Sequence, residues 1–381
     1  MPVSINRRTL LTGLAACATA AAAPPGRERS AVQTAASDSA SPGHVLATIR
    51  NGEVETLEAR GYGSLEHARA LDAHSVFHIA SLSKQFTATA IALLEGDGKL
   101  TLDDPLARWI PEAKHFGDAL TLAHLVYFTS GLPEYNTRPA PGGRSWFAFN
   151  YFDFDAQVGA ILAAPKLDFT PGTQWRYTNS DYALLARVAE RAADRPLAEI
   201  LRERVFAPLG MRDTFLHDDP TRVIAHRVDG YAERSAAIVA ELHKVGIPAH
   251  EGAGWVRLYR HATHYGGSGV MSTVADMARW EGEWAKPRVL GRALQERLLR
   301  TRRFAHDKSN DAMGIVLDEL EGHRIAWFAG GDIDASSHVV RFRDAGVSVL
   351  CLSNQVPDGP ASELAKTHAR RLVETKAVRA S

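Results

Sequence analysis

Ser81 and Lys84 are the residues of this chain whose types and spacing favour covalent chemistry. They lie three apart in the stretch Ser81-Leu82-Ser83-Lys84. Side chains at positions i and i+3 of a helix share a face, with Cβ atoms about 5–6 Å apart, so the hydroxyl and the amine can meet. A serine is a useful nucleophile only when a neighbouring group takes its proton, and a desolvated lysine amine is one such group. The alternative is structural, with Ser81 capping a helix and Lys84 in solvent.

The residues that flank this pair predict a buried start to a helix. Residues 75–80 form a largely apolar segment before Ser81, and apolar residues recur through residues 86–94 after it. A recurring apolar face of this kind is typical of a helix that packs against a core. The sequence therefore supplies the apolar surroundings that an activated serine requires.

Composition favours a small-molecule substrate. The chain has 381 residues, and its 44 Lys and Arg residues balance its 44 Asp and Glu residues. The basic runs are short, so no field of one sign favours a nucleic acid or an anionic membrane as partner. We find no glycine loop for phosphate and no nucleotide motif, and we expect no cofactor. His261 and His264 lack a convincing third ligand for a metal, so we expect them on the surface or at a cleft rim. The sequence makes no prediction of oligomeric state.

Residues 1–23 predict export from a bacterial cytoplasm. Asn6-Arg7-Arg8-Thr9-Leu10-Leu11 places two arginines before an apolar run, and residues 18–23 are mostly alanine. This pattern is typical of a twin-arginine signal, and its apolar run is too short to span a bilayer. We therefore expect a periplasmic protein or a membrane-anchored lipoprotein.

Cys17 decides between those two destinations. The stretch Leu14-Ala15-Ala16-Cys17 resembles a bacterial lipobox, in which the cysteine carries a lipid anchor; the alternative is simple cleavage near residues 20–23. Residues 24–43 lack periodicity and are predicted to be a flexible linker, followed by one folded domain over residues 44–381. Cys351 lies in an apolar run, so we expect it to pack in the core without a disulfide.

The order of predicted elements indicates an α+β fold in the α/β class. Residues 44–50 and 54–62 have strand character on either side of Asn51-Gly52, a dipeptide suited to a tight hairpin turn. Helical segments then dominate a lobe at about 101–265, at 122–127, 156–162, 181–193 and 197–206. Strands return at 313–317, 323–328, 337–343 and 347–352, before a helix at 361–374. Early and late strands together predict one antiparallel sheet flanked by helices, with the mostly helical lobe inserted.

The segment from Trp146 to Phe154 is dense in aromatic residues. Such a segment can form the wall of an apolar substrate cleft. Packing inside the helical lobe is an equally good interpretation.

Several motifs together resemble the penicillin-recognising serine hydrolases, in particular class C β-lactamases with their esterase and D-aminopeptidase relatives. The motifs are Ser81-x-x-Lys84, Tyr177-Thr178-Asn179 and a late Gly-Gly turn, in that order. Further agreement comes from the stretches Thr129-Ser130-Gly131-Leu132-Pro133, Phe206-Ala207-Pro208-Leu209-Gly210-Met211 and Gly269 to Ala278. The resemblance covers roughly residues 44 to 356 and implies the fold of the serine β-lactamases.

The resemblance also implies roles for individual residues. Tyr177 would relay the proton of Ser81 to the leaving group, with Lys84 beside it as a cation or itself as the base. Asn179 would hold a carbonyl or amide group of the substrate. The backbone N–H groups of Ser81 and Gly331 would form the oxyanion hole.

Two positions depart from the family's pattern. The third motif, usually Lys-Thr-Gly or His-x-Gly, is here Phe328-Ala329-Gly330, so Phe328 and Gly330 would border the substrate without a charged side chain. A carboxylate on the substrate then loses its usual partner, unless Arg341 or His264 reaches the same place. The second departure is Phe128, where relatives usually have histidine.

These expectations combine into an exported serine hydrolase that acts on a small-molecule ester or amide through an acyl-enzyme on Ser81, with small esters favoured. One rival is a β-lactamase or D-alanyl-D-alanine peptidase, which shares the fold. The other is a cell-envelope binding protein that keeps the cleft without turnover.

Overall fold

The computed structural model describes residues 32–35, 40–143, 146, 151–259, 265–305, 310–356 and 359–378. Its strands are β1 (Val32–Ala35), β2 (His44–Arg50), β3 (Glu53–Arg60), β4 (Tyr62–Ser64), β5 (Arg69–Ala70), β6 (Phe77–His78), β7 (Phe215–Leu216), β8 (Gly230–Glu233), β9 (Trp255–Leu258), β10 (Val270–Ser272), β11 (Val316–Leu320), β12 (His323–Gly331), β13 (Ser336–Phe342) and β14 (Val347–Ser353). Its α-helices are α1 (Lys84–Gly96), α2 (Leu106–Trp109), α3 (Leu122–Val126), α4 (Phe154–Leu162), α5 (Asn179–Ala193), α6 (Leu197–Leu201), α7 (Ala236–Lys244), α8 (Val274–Ala285), α9 (Arg292–Leu298) and α10 (Ala361–Glu374).

A seven-stranded sheet with the order β1-β3-β2-β14-β13-β12-β11 forms the centre of the fold. Strand β2 pairs with β14, so early and late parts of the chain meet in the middle of the sheet. Every pairing in this sheet is antiparallel except that of β1 with β3. The predicted antiparallel sheet flanked by helices is confirmed.

The turn between β2 and β3 follows from its sequence. Asn51 and Gly52 have φ angles of 51° and 90°, and two successive positive φ values are what a type I′ hairpin turn requires. Asparagine and glycine adopt such angles more readily than other residues.

Strand β1 lies within residues 24–43, which the sequence predicts to be a flexible linker. Residues 32–35 pair in parallel with residues 57–60 at the edge of the sheet, so these four residues extend the sheet. A strand edge has unpaired N–H and C=O groups that a passing segment can bond, and such a short addition leaves no periodic pattern in the sequence. The predicted export signal and Cys17 lie outside the described residues.

One late strand begins three residues beyond its predicted start. Gly314 has a φ of 73°, and the Met313 N–H donates to the Leu298 carbonyl oxygen (3.1 Å). The chain therefore turns at these residues, and the strand predicted at 313–317 starts at Val316.

The main core lies between the inner face of the sheet and helices α1, α5 and α8, whereas α10 packs on the opposite face. On α1, the Phe86 ring lies 5.2 Å from that of Phe206 and 4.9 Å from that of Trp280. Trp146 and Phe152 are each 3% exposed and pack in the core, whereas Tyr151 of the same aromatic segment is 43% exposed; residues 147–150 lie outside the described residues. In the described part of the chain, no helix has the length and hydrophobicity to cross a membrane.

Candidate active site

Ser81 lies in a strained turn that two strands hold in place. The turn is a 3₁₀ segment, Ala80–Ser83, that continues into α1. Ala80 has a φ of 48°, which is unusual for a residue with a side chain. The Ile79 N–H donates to the Val270 carbonyl oxygen (3.0 Å), and the Ser337 hydroxyl donates to the Ile79 carbonyl oxygen (2.7 Å). These bonds fix the turn from β10 and β13, and strain maintained in this way is common at functional sites.

The structure brings Ser81, Lys84 and Tyr177 into one hydrogen-bonded series. The Lys84 Nζ lies 3.2 Å from the Ser81 Oγ, and the Ser81 Oγ lies 2.8 Å from the Tyr177 Oη. Lys84 is fully buried, whereas Tyr177 is 37% exposed. The series therefore runs from the core, at Lys84, to the surface, at Tyr177.

Lys84 has two further acceptors. Its Nζ donates to the Asn179 Oδ1 (2.8 Å) and to the Gly267 carbonyl oxygen (2.7 Å). Asn179 begins α5, and the Thr178 side chain caps that helix. The contact with Gly267 was not predicted, although the paired glycines at 266 and 267 are a sequence signal for close backbone approach. A Cβ on Gly266 would lie 2.2 Å from the Tyr182 carbonyl oxygen, so the loop fits against α5 only with glycine there.

Gly330 and Gly331 place the end of β12 against Ser81. A Cβ on Gly330 would lie 2.9 Å from the Ser81 backbone nitrogen. The Asp332 N–H donates to the Ala335 carbonyl oxygen at the end of the hairpin. Bonded and non-bonded pairs alternate in an antiparallel ladder, so the next pair, Gly331 with Ser336, is non-bonded. The N–H of Gly331 consequently points away from β13.

A comparison with known families decides the classification. A family model described as "Beta-lactamase" matches residues 29–374. This chain belongs to the beta-lactamase family. The expected resemblance is thereby confirmed, and the protein is a serine hydrolase of this family.

Two relatives and one solved structure show the range of similarity. Penicillin-binding protein 4* of Bacillus subtilis (strain 168) is 28% identical over 325 residues, which are 83% of this chain and 68% of the relative. Esterase EstB of Burkholderia gladioli is 29% identical over 352 residues, 84% of this chain and 88% of the relative. The octameric penicillin-binding protein homologue from Pyrococcus abyssi superposes with a TM-score of 0.71 at 19% identity, over 87% of this chain and 74% of that one.

This beta-lactamase-family protein has an apolar residue at the start of its third motif. Phe328 is 6% exposed and belongs to the main core, so its ring has little surface to offer a substrate. Arg341 does not replace the missing cation, because its guanidinium forms a buried ion pair with Glu281 (2.7 Å). His261 and His264 lie outside the described residues.

Phe128 supports the ring of Tyr177. The two ring centres are 5.0 Å apart, and Phe128 also stacks on Tyr182 at 5.2 Å. Phe128 is 1% exposed. The Lys84 Nζ lies 4.8 Å from the Tyr177 ring centre. Phe128 and Lys84 together fix the orientation of the tyrosine, which gives the second departure from the family's pattern a structural role.

A second cluster links the loop after Gly267 to the β12–β13 turn. The His78 Nδ1 lies 2.8 Å from the Asp334 Oδ1, and the His78 Nε2 lies 2.8 Å from the Ser268 Oγ. All three side chains are buried. The sequence did not single out this cluster. It ties the loop that carries the Gly267 carbonyl to the turn that follows Gly331.

Asp181 is a buried carboxylate in the first turn of α5. The Ser130 hydroxyl donates to its Oδ1, and burial raises the pKa of Asp181 well above its usual range. The Ser130 Oγ also accepts from the Leu132 N–H (3.0 Å). The Thr-Ser-Gly stretch is therefore joined to α5 through a carboxyl group for which burial favours the neutral form. In the described ranges, no three histidine, cysteine, aspartate or glutamate side chains are grouped to hold a metal ion.

Proposed function

We propose that this protein hydrolyses small uncharged esters through an acyl-enzyme on Ser81. The observation that carries the proposal is the hydrogen-bonded series from Lys84 through Ser81 to the exposed Tyr177. It provides a nucleophile, a proton acceptor and a buried cation, with the acceptor at the solvent-facing end. These are the groups that nucleophilic acyl transfer requires.

In the proposed acylation, Tyr177 as phenolate takes the proton of Ser81 while Oγ attacks the acyl carbon. The Lys84 ammonium stabilises the negative charge on the phenolate. The oxyanion of the tetrahedral intermediate accepts hydrogen bonds from the backbone N–H groups of Ser81 and Gly331. When the intermediate collapses, the bond to the alcohol oxygen breaks and Tyr177 gives that oxygen the proton.

Deacylation repeats these steps with water. Water loses a proton to the Tyr177 phenolate as it attacks the acyl carbon. The Ser81 Oγ then leaves and regains a proton from Tyr177, which releases the acid and restores the starting state.

The preference for uncharged esters follows from the missing cation. Phe328 is apolar and buried, and Arg341 is paired with Glu281. A hydrogen bond from a cation to a carboxylate contributes about 1.5–3 kcal/mol, which corresponds to roughly 10- to 150-fold in rate if it acts in the transition state. β-Lactams carry such a carboxylate and lose this contribution, whereas a neutral ester loses nothing. The similarity to a relative named as an esterase also supports a preference for esters.

The test compares kcat/KM for p-nitrophenyl acetate and butyrate with kcat/KM for nitrocefin, a β-lactam. We expect the best ester to exceed nitrocefin by about 10²-fold or more. Faster hydrolysis of nitrocefin would overturn the ester preference and favour a β-lactamase. An unmodified protein that neither turns over a substrate nor reacts with a fluorophosphonate would instead be a binding protein.

Ser83→Ala provides a matched control for Ser81→Ala. The Ser83 Oγ accepts from the Val270 N–H (3.0 Å) and is buried, so its loss affects packing rather than chemistry. We expect Ser81→Ala to abolish turnover and fluorophosphonate labelling, and Ser83→Ala to retain both. Full activity in Ser81→Ala would refute the mechanism.

We further propose that the protein is exported, on the basis of Arg7-Arg8 and the apolar run that follows. Replacing both arginines with lysine should retain an uncleaved precursor in the cytoplasm of the native host. Cys17→Ser distinguishes the two destinations: release from the membrane fraction supports lipidation, and unchanged fractionation supports simple cleavage. Mature protein in the cytoplasm of unmodified cells would contradict export.

A further inference from the structure

Glu134 lies at the N-terminal end of α5, where it contacts the nitrogen of the Asn179 amide, and Lys84 contacts the oxygen of that amide. Its Oε2 accepts from the Asn179 backbone N–H (2.6 Å), from the Asn179 Nδ2 (3.2 Å) and from the Thr178 hydroxyl (3.3 Å). A carboxylate is stabilised there by the free N–H groups of the helix end. Glu134 belongs to none of the sequence motifs to which a role is assigned above.

These bonds determine which way the Asn179 amide faces. An ionised carboxylate can only accept hydrogen bonds, so the Asn179 NH₂ group must face Glu134. The Asn179 Oδ1 must then face the opposite way, where it accepts from the Lys84 Nζ (2.8 Å). The amide orientation, which is otherwise open to reversal, is fixed by Glu134.

The fixed amide in turn determines which groups donate and which accept in the hydrogen-bonded series of Lys84, Ser81 and Tyr177. A lysine ammonium has three N–H donors. Two of those of Lys84 meet oxygens that only accept, the Asn179 Oδ1 and the Gly267 carbonyl, and the third meets the Ser81 Oγ. A hydroxyl that accepts from Lys84 directs its own proton elsewhere. The partner in reach is the Tyr177 Oη, 2.8 Å away.

We propose that Glu134 is a positioning residue that fixes the Asn179 amide and thereby directs the Ser81 proton toward Tyr177. The inference rests on the proposed function, because it concerns the same acyl transfer. Glu134 acts through Asn179 and Lys84, so its loss affects the chemical step rather than the binding of substrate.

The test is a pair of variants that first breaks and then restores the hydrogen-bond directions. Glu134→Gln supplies an amide that can donate to the Asn179 oxygen and so permits the reversed orientation. We expect kcat for p-nitrophenyl acetate to fall about 10- to 100-fold, as for a misplaced catalytic group, with KM changed less than about threefold.

The second variant combines Glu134→Gln with Asn179→Asp, which exchanges the carboxylate and the amide. The glutamine amide then donates to the aspartate, whose other oxygen accepts from Lys84, and the total charge is unchanged. We expect this double variant to recover at least about tenfold of the lost kcat. A purely structural role for Glu134 predicts no such recovery, because a second substitution at α5 would only add to the damage.

Two results would overturn the inference. The first is a kcat of Glu134→Gln within threefold of that of the unmodified protein, and the second is a kcat of the double variant no higher than that of Glu134→Gln. Circular dichroism and the rate of fluorophosphonate labelling are measured for every variant. The labelling rate reports the activation of Ser81 independently of the ester preference. If the unmodified protein is neither labelled nor active, the proposed function itself fails; if it is active and the variants behave otherwise than expected, only the inference fails.

Discussion

Gly330→Ala tests whether the backbone at the end of β12 places the oxyanion hole. The added Cβ would lie 2.4 Å from the Ser337 Oγ, 2.8 Å from the Ile79 carbonyl oxygen and 2.9 Å from the Ser81 backbone nitrogen. Contacts under 3.0 Å are essentially never seen for a real Cβ, and ordinary contact begins at 3.4 Å. Ser81 must therefore move by about 0.5 Å, the difference between 3.4 and 2.9 Å.

The magnitude follows from that displacement. Removing one oxyanion donor outright costs about 10²–10³ in kcat, so a shift of this size should cost about 10- to 100-fold. KM should change little, because the oxyanion exists only after attack. Overpacking at this position should also lower the free energy of unfolding by about 1–3 kcal/mol.

The assay is steady-state hydrolysis of p-nitrophenyl acetate, with urea unfolding followed by circular dichroism. Gly159→Ala is the control, because it lies in α4 with no heavy atom within 4 Å of the new Cβ. It should leave kcat unchanged and stabilise the helix by about 0.5–1 kcal/mol. A Gly330→Ala protein that keeps more than a third of the unmodified kcat and the same stability would refute the placement of β12 against Ser81.

Two further predictions concern buried titratable groups. Burial raises the pKa of Asp181 in the folded state, so the folded protein loses stability as pH rises and this carboxyl ionises. Asp181→Asn should therefore raise the free energy of unfolding by about 1–3 kcal/mol at pH 8. Urea titrations should show that this increase in unfolding free energy becomes smaller toward pH 4. An equal gain at both pH values would contradict this reasoning. Burial lowers the pKa of His338 to about 4, so its stabilising contribution is complete above the usual value near 6.5 and is lost as pH falls toward 4. At pH 5 the unmodified protein should have lost about 2 kcal/mol of unfolding free energy through His338. In His338→Asn, the difference in unfolding free energy between pH 7.5 and pH 5 should be smaller by about that amount. A difference equal to that of the unmodified protein would refute this role of His338.

The contact between Ser81 and Lys84 was predictable because its geometry is local. Ser81 and Lys84 are three apart, and helical periodicity alone brings them together. Tyr177 lies 96 residues from Ser81, and no rule of spacing connects them. Its prediction depended on the resemblance of the motifs around it. The hairpin at Asn51-Gly52 was likewise local, since its turn type follows from two residues.

The unpredicted parts of the site depend on packing between distant segments. His78 and Asp334 are 256 residues apart in the sequence, and only the folding of the chain brings β6 and the β12–β13 turn together. Gly267 contributes a backbone carbonyl, which any residue possesses, so its type gives no chemical signal. The burial of Phe328 was unpredicted for a similar reason. Its apolar ring is stabilised by burial in the core, and the sequence does not reveal which face of β12 is covered.

Solvent exposure, rather than hydrogen-bond pattern, distinguishes the Ser81 series from the cluster of Ser268, His78 and Asp334. Ser268, His78 and Asp334 form a Ser–His–Asp series with contacts of 2.8 Å, the same as the 2.8 Å between Ser81 and Tyr177. Distance alone therefore does not distinguish Ser268 from Ser81 as a nucleophile. Ser268 is only 5% exposed, however, and both ends of its series are buried. An acyl group needs an approach to Oγ and a place for the oxyanion, and the Ser81 series has an exposed tyrosine and a glycine strand end beside it. The buried series instead holds the loop and the turn that border the exposed one, so its hydrogen bonds serve the geometry of Ser81.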